Sequence, residues 1–161
     1  MFKIGDRVVY PMHGAGVIEG LEEREILGEK KFYYVMKLPL GDMKVFIPLQ
    51  SIASLGLREI VDGAEIGNVL QALGETQVEE PGNWNRRYRV HLDKLRTGSM
   101  IAVAQVVSTL LSRQNAKSLS AGEKRLLEIA MQILVSELIL VQNLSEEEAK
   151  DLVVSSCIRA S

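Results

Sequence analysis

Phe32-Tyr33-Tyr34-Val35-Met36-Lys37-Leu38 is the strongest strand signal in the chain. It is a run of aromatic and β-branched side chains that suits a pleated, half-buried surface. Pro39-Leu40-Gly41-Asp42 turns it, and Met43-Lys44-Val45-Phe46-Ile47 returns before Pro48. Working back, Leu27-Gly28-Glu29-Lys30 reads as the hairpin connection into it. The preceding strand begins at Val17-Ile18-Glu19 and continues, with a bend expected at Gly20, through Arg24-Glu25-Ile26. Gly14-Ala15-Gly16 reads as a turn, and Arg7-Val8-Val9-Tyr10 as a first short strand ended by Pro11. Short strands at this spacing predict a small, strongly bent sheet or barrel with a small core. Such a module exposes at least one strand edge, where a partner can add to the sheet.

Past residue 64 the pattern becomes helical. Ile66, Val69, Leu70 and Leu73 make a short amphipathic segment before Gly74, and Glu75 to Gly82 reads as a loop. Pro81-Gly82 breaks the chain, and Asn83 is the expected N-cap of a helix ending near Thr97-Gly98. Ser99 heads the next helix, mostly apolar from Ile101 to Leu111. Ser120 with Glu123, and Ser145 with Glu148, have the capping-box spacing. After Ser120, Leu126, Leu127, Ile129, Ala130, Ile133, Leu134, Leu138 and Ile139 cover so much of one helix that it belongs at the centre of a bundle. A last helix carries Ala149, Leu152, Val153 and Cys157. Strand chemistry gives way to helix chemistry near residues 58–63. The expected fold is therefore α+β in two domains, all-β over residues 1–60 and all-α over residues 64–161.

Of 161 residues, 47% are hydrophobic and 25% charged, the balance of a folded globular chain. A net charge of -2 argues against nucleic-acid binding through overall charge, so any such contact needs a local patch. One exists. Residues 1–60 carry eight positive and eight negative side chains, whereas residues 81–100 carry five positive and one negative. On the helix after Asn83, the residues Trp84, Tyr88, His91, Leu92 and Leu95 share one face. Arg86, Arg87, Arg89, Lys94 and Arg96 cover the rest. Two readings stand side by side. Trp84 is either a core residue in line with a tyrosine and leucines, as Trp is highly buried on average, or an aromatic at the mouth of a cationic helix that meets a grooved polyanion.

Other chemistries lack their residues. Cys157 is the lone cysteine and His13 and His91 are the two histidines, so neither a disulfide framework nor a Cys- or His-rich metal site is expected. His13-Gly14-Ala15-Gly16 has no accompanying G-x-S-x-G elbow, and no P-loop or dinucleotide fingerprint is present. Glu146-Glu147-Glu148 reads as acidic charge at a helix N-terminus. No catalytic residue, cofactor or enzymatic activity is expected. The opening residues lack the apolar core of a signal peptide, and Gln132, Ser136 and Glu137 interrupt the most apolar region, Ile129 to Val141. The expected location is cytoplasmic, with no membrane partner.

Phe2-Lys3-Ile4-Gly5-Asp6-Arg7-Val8-Val9-Tyr10-Pro11-Met12-His13-Gly14-Ala15-Gly16-Val17-Ile18 resembles the opening of the CarD/CdnL family of bacterial transcription regulators. The resemblance runs on through Tyr33-Tyr34-Val35, Val45-Phe46-Ile47-Pro48 and Gly56-Leu57-Arg58. It resumes at Glu79 to Tyr88 and at Leu119-Ser120-Ala121-Gly122-Glu123-Lys124-Arg125, covering essentially the whole chain. The first segment is also similar to the polymerase-binding domain of transcription-repair coupling factors, but no helicase motifs follow it here.

The resemblance implies a Tudor-like, SH3-like N-terminal β-barrel that docks on the RNA polymerase β subunit. It also implies a C-terminal all-α bundle that reaches promoter DNA, without reading sequence, at the upstream edge of the melted bubble. By position, Arg24, Ile26, Lys44, Val45, Phe46 and Ile47 match polymerase-contacting positions. Trp84, Arg86, Arg87, Arg89 and Lys124 match DNA-contacting ones. The chain departs from the pattern at Phe46, where some members carry arginine. The expected function is stabilisation of the open promoter complex. The alternatives are an adaptor whose helical domain recruits another protein, with Trp84 in the core, and a sequence-specific repressor. The oligomeric state is left open.

Overall fold

The computed structural model describes residues 2–75 and 83–158. The expected loop over residues 75–82, with its Pro81-Gly82 break, lies outside the described residues beyond Glu75. The fold is α+β, a small antiparallel sheet followed by helices, as the sequence predicts. The strands are β1 (Arg7–Tyr10), β2 (Gly14–Ile26), β3 (Glu29–Lys37), β4 (Lys44–Pro48) and β5 (Arg58–Glu59). They form one five-stranded sheet in the order β4-β3-β2-β1-β5. Val8, Ile18, Tyr34, Met36, Leu38 and Ile47 fill its small core. The sheet bends where expected, because the β2–β3 register shifts between Ile18 and Gly20; such a bulge adds local twist. Between β4 and β5 the chain makes a 3-10 turn at Leu49–Ser51 and the one-turn helix α1 (Ile52–Leu55), which the sequence pattern did not announce.

Two expectations need correcting. Gly14-Ala15-Gly16 is not a turn; it opens β2, paired with Tyr10, Val9 and Val8, and the turn lies at residues 11–13. These residues are small because the strand is crowded on both sides. A Cβ on Gly16 would stand 2.6 Å from the Lys37 carbonyl oxygen, and one on Gly14 2.6 Å from Ser136 Oγ. Likewise Glu29 and Lys30 belong to β3, so the hairpin turns on Leu27 and Gly28 alone. Both have positive φ, 53° and 80°, the twist a two-residue hairpin favours.

The helices are α2 (Ile66–Gly74), α3 (Trp84–Arg96), α4 (Met100–Ala116), α5 (Ala121–Gln142) and α6 (Glu146–Ile158). Asn83, Ser99 and Ser120 cap α3, α4 and α5 as their positions predict, and both expected capping boxes form. Helix α5 packs against α3, α4, α6 and the sheet. Its Leu126, Ala130, Ile133, Leu134 and Leu138 are buried in a core shared with Val103, Val107 and Leu110 of α4. Among the described residues, no single helix is long and apolar enough to cross a membrane.

Polar groups of α5 join the helices to the sheet and the segments next to it. Ala15 N donates to Ser136 Oγ (2.8 Å), and Gln132 Nε2 donates to the His13 carbonyl oxygen (2.8 Å). Arg58 at the start of β5 forms a two-pronged ion pair with Glu137, at 2.8 and 2.7 Å.

Candidate nucleic-acid interface

The face predicted for α3 exists. His91 and Leu95 are buried, Tyr88 and Leu92 half-buried, and Trp84 begins the helix at its exposed end. Trp84 is neither sealed nor loose. The residue is 40% exposed, and its ring stacks on Tyr88 with centroids 5.1 Å apart and donates its Nε1 hydrogen to Ser120 Oγ at 2.9 Å. Beneath it lies Gly122, where a Cβ would stand 2.9 Å from Cζ2 of the indole. The absence of a side chain there lets the ring lie on the first turn of α5.

Ser120 is itself held. Its Oγ accepts from Glu123 N, while the Glu123 carboxylate accepts from Ser120 N and pairs with Arg113 at 3.1 Å. The seat of the indole is thus the reciprocally bonded N-terminus of a 22-residue helix. A group held this way loses little further freedom on binding, because its ordering cost is already met in folding.

Around the ring, Arg86 and Arg89 are exposed and Arg87 is half-buried. Arg86 and Arg89 border a shallow depression of about 460 Å³ with Asn83, Asn85, Val90 and Asp93. Lys124 is exposed two positions beyond Gly122, and also borders a cleft of about 690 Å³ between the β3–β4 turn and α5. Cations and an exposed aromatic are groups that grip phosphates and unstacked bases.

The residues expected at a protein interface divide between the faces of the sheet. Arg24 of β2 lays its guanidinium over the Phe46 ring of β4, 3.9 Å from the centroid, and pairs with Glu22 at 3.3 Å. Ile26 and Lys44 are exposed, and Lys44 pairs with Glu19 at 3.2 Å. Val45 is half-buried against the sheet core and Ile47 is wholly inside it, so the Ile47 side chain is withheld from any partner. Among the described residues no strand pairs with the outer edge of β4, which leaves its backbone groups open to one.

Two family models match this chain: the CarD-like/TRCF RID domain over residues 2–61, and the C-terminal domain of CarD over residues 68–154. The second alone spans more than half of the sequence. The chain belongs to the CarD family. Its members regulate transcription, and a curated relative agrees: the Bacillus subtilis (strain 168) protein named "Putative transcription factor YdeB" is 37% identical over 150 residues, which is 93% of this chain and 98% of that one. A solved structure, the solution NMR structure of the 72-residue N-terminal domain of Myxococcus xanthus CarD, is 27% identical, with a TM-score of 0.32. That match covers 37% of this chain and 79% of the other.

In this CarD-family chain, several structural residues of the site escaped the sequence reading. The Ser120–Glu123 spacing marked a helix start, but nothing local marked Ser120 as the acceptor for an indole 36 positions away. Gly122 and the Arg58–Glu137 pair carried no periodic signal either.

Proposed function

We propose that this chain is a transcription initiation factor that anchors on the β subunit of bacterial RNA polymerase through its sheet, residues 1–60. Its helical part, residues 64–161, then stabilises the open promoter complex. Trp84, Arg86, Arg87, Arg89 and Lys124 contact DNA at the upstream edge of the bubble. Arg24, Ile26, Lys44, Val45 and Phe46 face polymerase, joined by the backbone of Ile47. The match of residues 2–61 to the CarD-like/TRCF RID domain supports the anchoring half of this reading. The observation that carries the DNA half is the half-exposed indole, held at its N–H edge by Ser120 and flanked by arginines.

Energetics favour this division of labour. Non-specific DNA binding has a Kd of about 10⁻⁴–10⁻⁶ M at physiological salt, and the patch here is small in a chain of net charge -2. Such a grip acts only when something else holds it in place; a tether gives an effective concentration of order mM. An apolar wedge at a base step offsets unstacking of about a few kcal/mol, and at a bubble edge the bases are already loosened. By binding the melted state better than the closed one, the protein shifts the equilibrium between them.

The test follows open-complex lifetimes on several promoters with and without the protein. Trp84→Ala should lose the lengthening while still binding polymerase. Arg24→Glu should lose polymerase binding with its helical content intact. Equal lifetimes with and without the wild-type chain would refute the reading.

A further inference from the structure

Arg58 donates four hydrogen bonds to three residues, Glu59, Gly98 and Glu137. Its Nε donates to the Gly98 carbonyl oxygen (2.7 Å), and its Nη1 to the Glu59 carbonyl oxygen (2.9 Å) and Glu137 Oε2 (2.8 Å). Its Nη2 donates to Glu137 Oε1 (2.7 Å), and Glu137 Oε2 also accepts from Val61 N (2.8 Å). Glu137, in the C-terminal half of α5, is completely buried. Gly98 stands two residues beyond the end of α3, and a Cβ on it would lie 3.3 Å from Pro11 Cγ of the sheet. The Arg58–Glu137 pair therefore ties the last strand, the segment leaving it, the central helix and the corner that ends the Trp84 helix.

We propose that Arg58 and Glu137 are positioning residues that set the angle between the anchoring sheet and the Trp84 helix, so that the protein presents anchor and indole as one rigid body. This rests on the functional reading above. A buried ion pair is a poor source of net stability, since desolvation cancels much of its attraction, and apolar residues of similar volume often do as well. Its distinctive property is direction. The planar fork accepts a carboxylate in one orientation, whereas apolar contacts tolerate sliding. A tether raises the local concentration of a weak DNA grip only if the geometry lets both sites engage at once.

The test compares the full chain with Arg58→Met/Glu137→Leu, which fills the site with apolar groups and leaves no buried charge unpaired. Arg58→Lys, which keeps the charge but not the fork, is the second variant. Spin labels at Lys37→Cys on β3 and Asp93→Cys on α3, in a Cys157→Ser background, report the sheet-to-helix distance. With the native junction the distribution should be single and narrow. In both variants it should broaden, while helical content, binding to polymerase β fragments and binding to free DNA stay unchanged. Lifetime extension, measured without the labels, should fall roughly tenfold as the effective concentration drops. A distribution as narrow as wild type in both variants overturns the proposal, and so does full lifetime extension from a variant whose distribution has broadened. Should the wild-type chain itself fail to lengthen lifetimes, that result counts against the functional reading, and the distance measurement still decides the clamp.

Discussion

The indole nitrogen of Trp84 donates to the same Ser120 hydroxyl oxygen that caps helix α5, at 2.9 Å against 3.2 Å for the capping bond. One oxygen starts a helix and aims an aromatic ring. Ser120→Ala removes both roles, and Ser145→Ala removes the equivalent cap of α6, where no indole is involved. Each should cost about 1 kcal/mol of stability, the usual worth of a helix cap. Ser120→Ala alone should shift Trp84 emission and raise its quenching, and Ser120→Thr should restore it. Equal fluorescence from the Ser120→Ala and Ser145→Ala proteins would mean that the ring is aimed by packing on Gly122 and Tyr88 instead.

Arg24 lays its guanidinium over the Phe46 ring, so the ring holds an exposed cation in place on this face of the sheet. An exposed cation–π contact contributes about 0.5–1 kcal/mol. Phe46→Ala should weaken binding to polymerase β fragments about two- to fivefold, by releasing Arg24 to more conformers. Phe46→Tyr, which keeps the ring, should not. Titration calorimetry of the two variants reads the difference, and identical affinities would remove Phe46 from the proposed anchoring surface.

Ser136 seats the sheet on α5 by accepting from Ala15 N and donating to the Ile133 carbonyl oxygen. Ser136→Ala leaves a buried N–H without that partner, which costs about 1–3 kcal/mol. Gly14→Ala should cost more, because φ is +120° and the new Cβ would meet Ser136 Oγ at 2.6 Å. In the double variant the clash disappears while the backbone strain stays, so the two losses should not add. Chemical denaturation of the four proteins measures this coupling.

Bonds from the Ser145 backbone and hydroxyl hold the Glu148 carboxyl below its usual pKa. A carboxylate with a lowered folded-state pKa leaves the unfolded chain holding more protons between the two values, so stability rises with pH there. Its contribution is whole above the unfolded-state pKa and is lost as pH falls through the folded-state one. Ser145→Ala removes the hydroxyl but keeps the backbone N–H, so it should return the Glu148 carboxyl only part of the way towards its ordinary titration, as followed by carbon-13 NMR. An unchanged titration would mean that the backbone N–H of residue 145, which the substitution keeps, holds the carboxyl down by itself.

Periodicity and spacing made much of this protein legible. The aromatic and β-branched run in Phe32–Leu38, the caps at Asn83, Ser99 and Ser120, and the apolar breadth of α5 each follow from neighbours a few positions apart. Local rules govern such features, so local reading recovers them. It misread Gly14–Gly16 because glycine serves both turns and close approaches, and only the packing of α5 on β2 tells the two apart.

By itself, the chain's order of residues determined a β module followed by a helical one, and a cationic helix headed by the lone tryptophan. Tertiary structure alone decided that this tryptophan is half-open rather than sealed, that Ile47 faces inward, and that Arg58 reaches Glu137 across 79 positions. The physical reason is range. Helix and strand formation depend on residues within a turn or two, whereas the burial of an indole or a charge depends on which distant surfaces the finished fold brings against it.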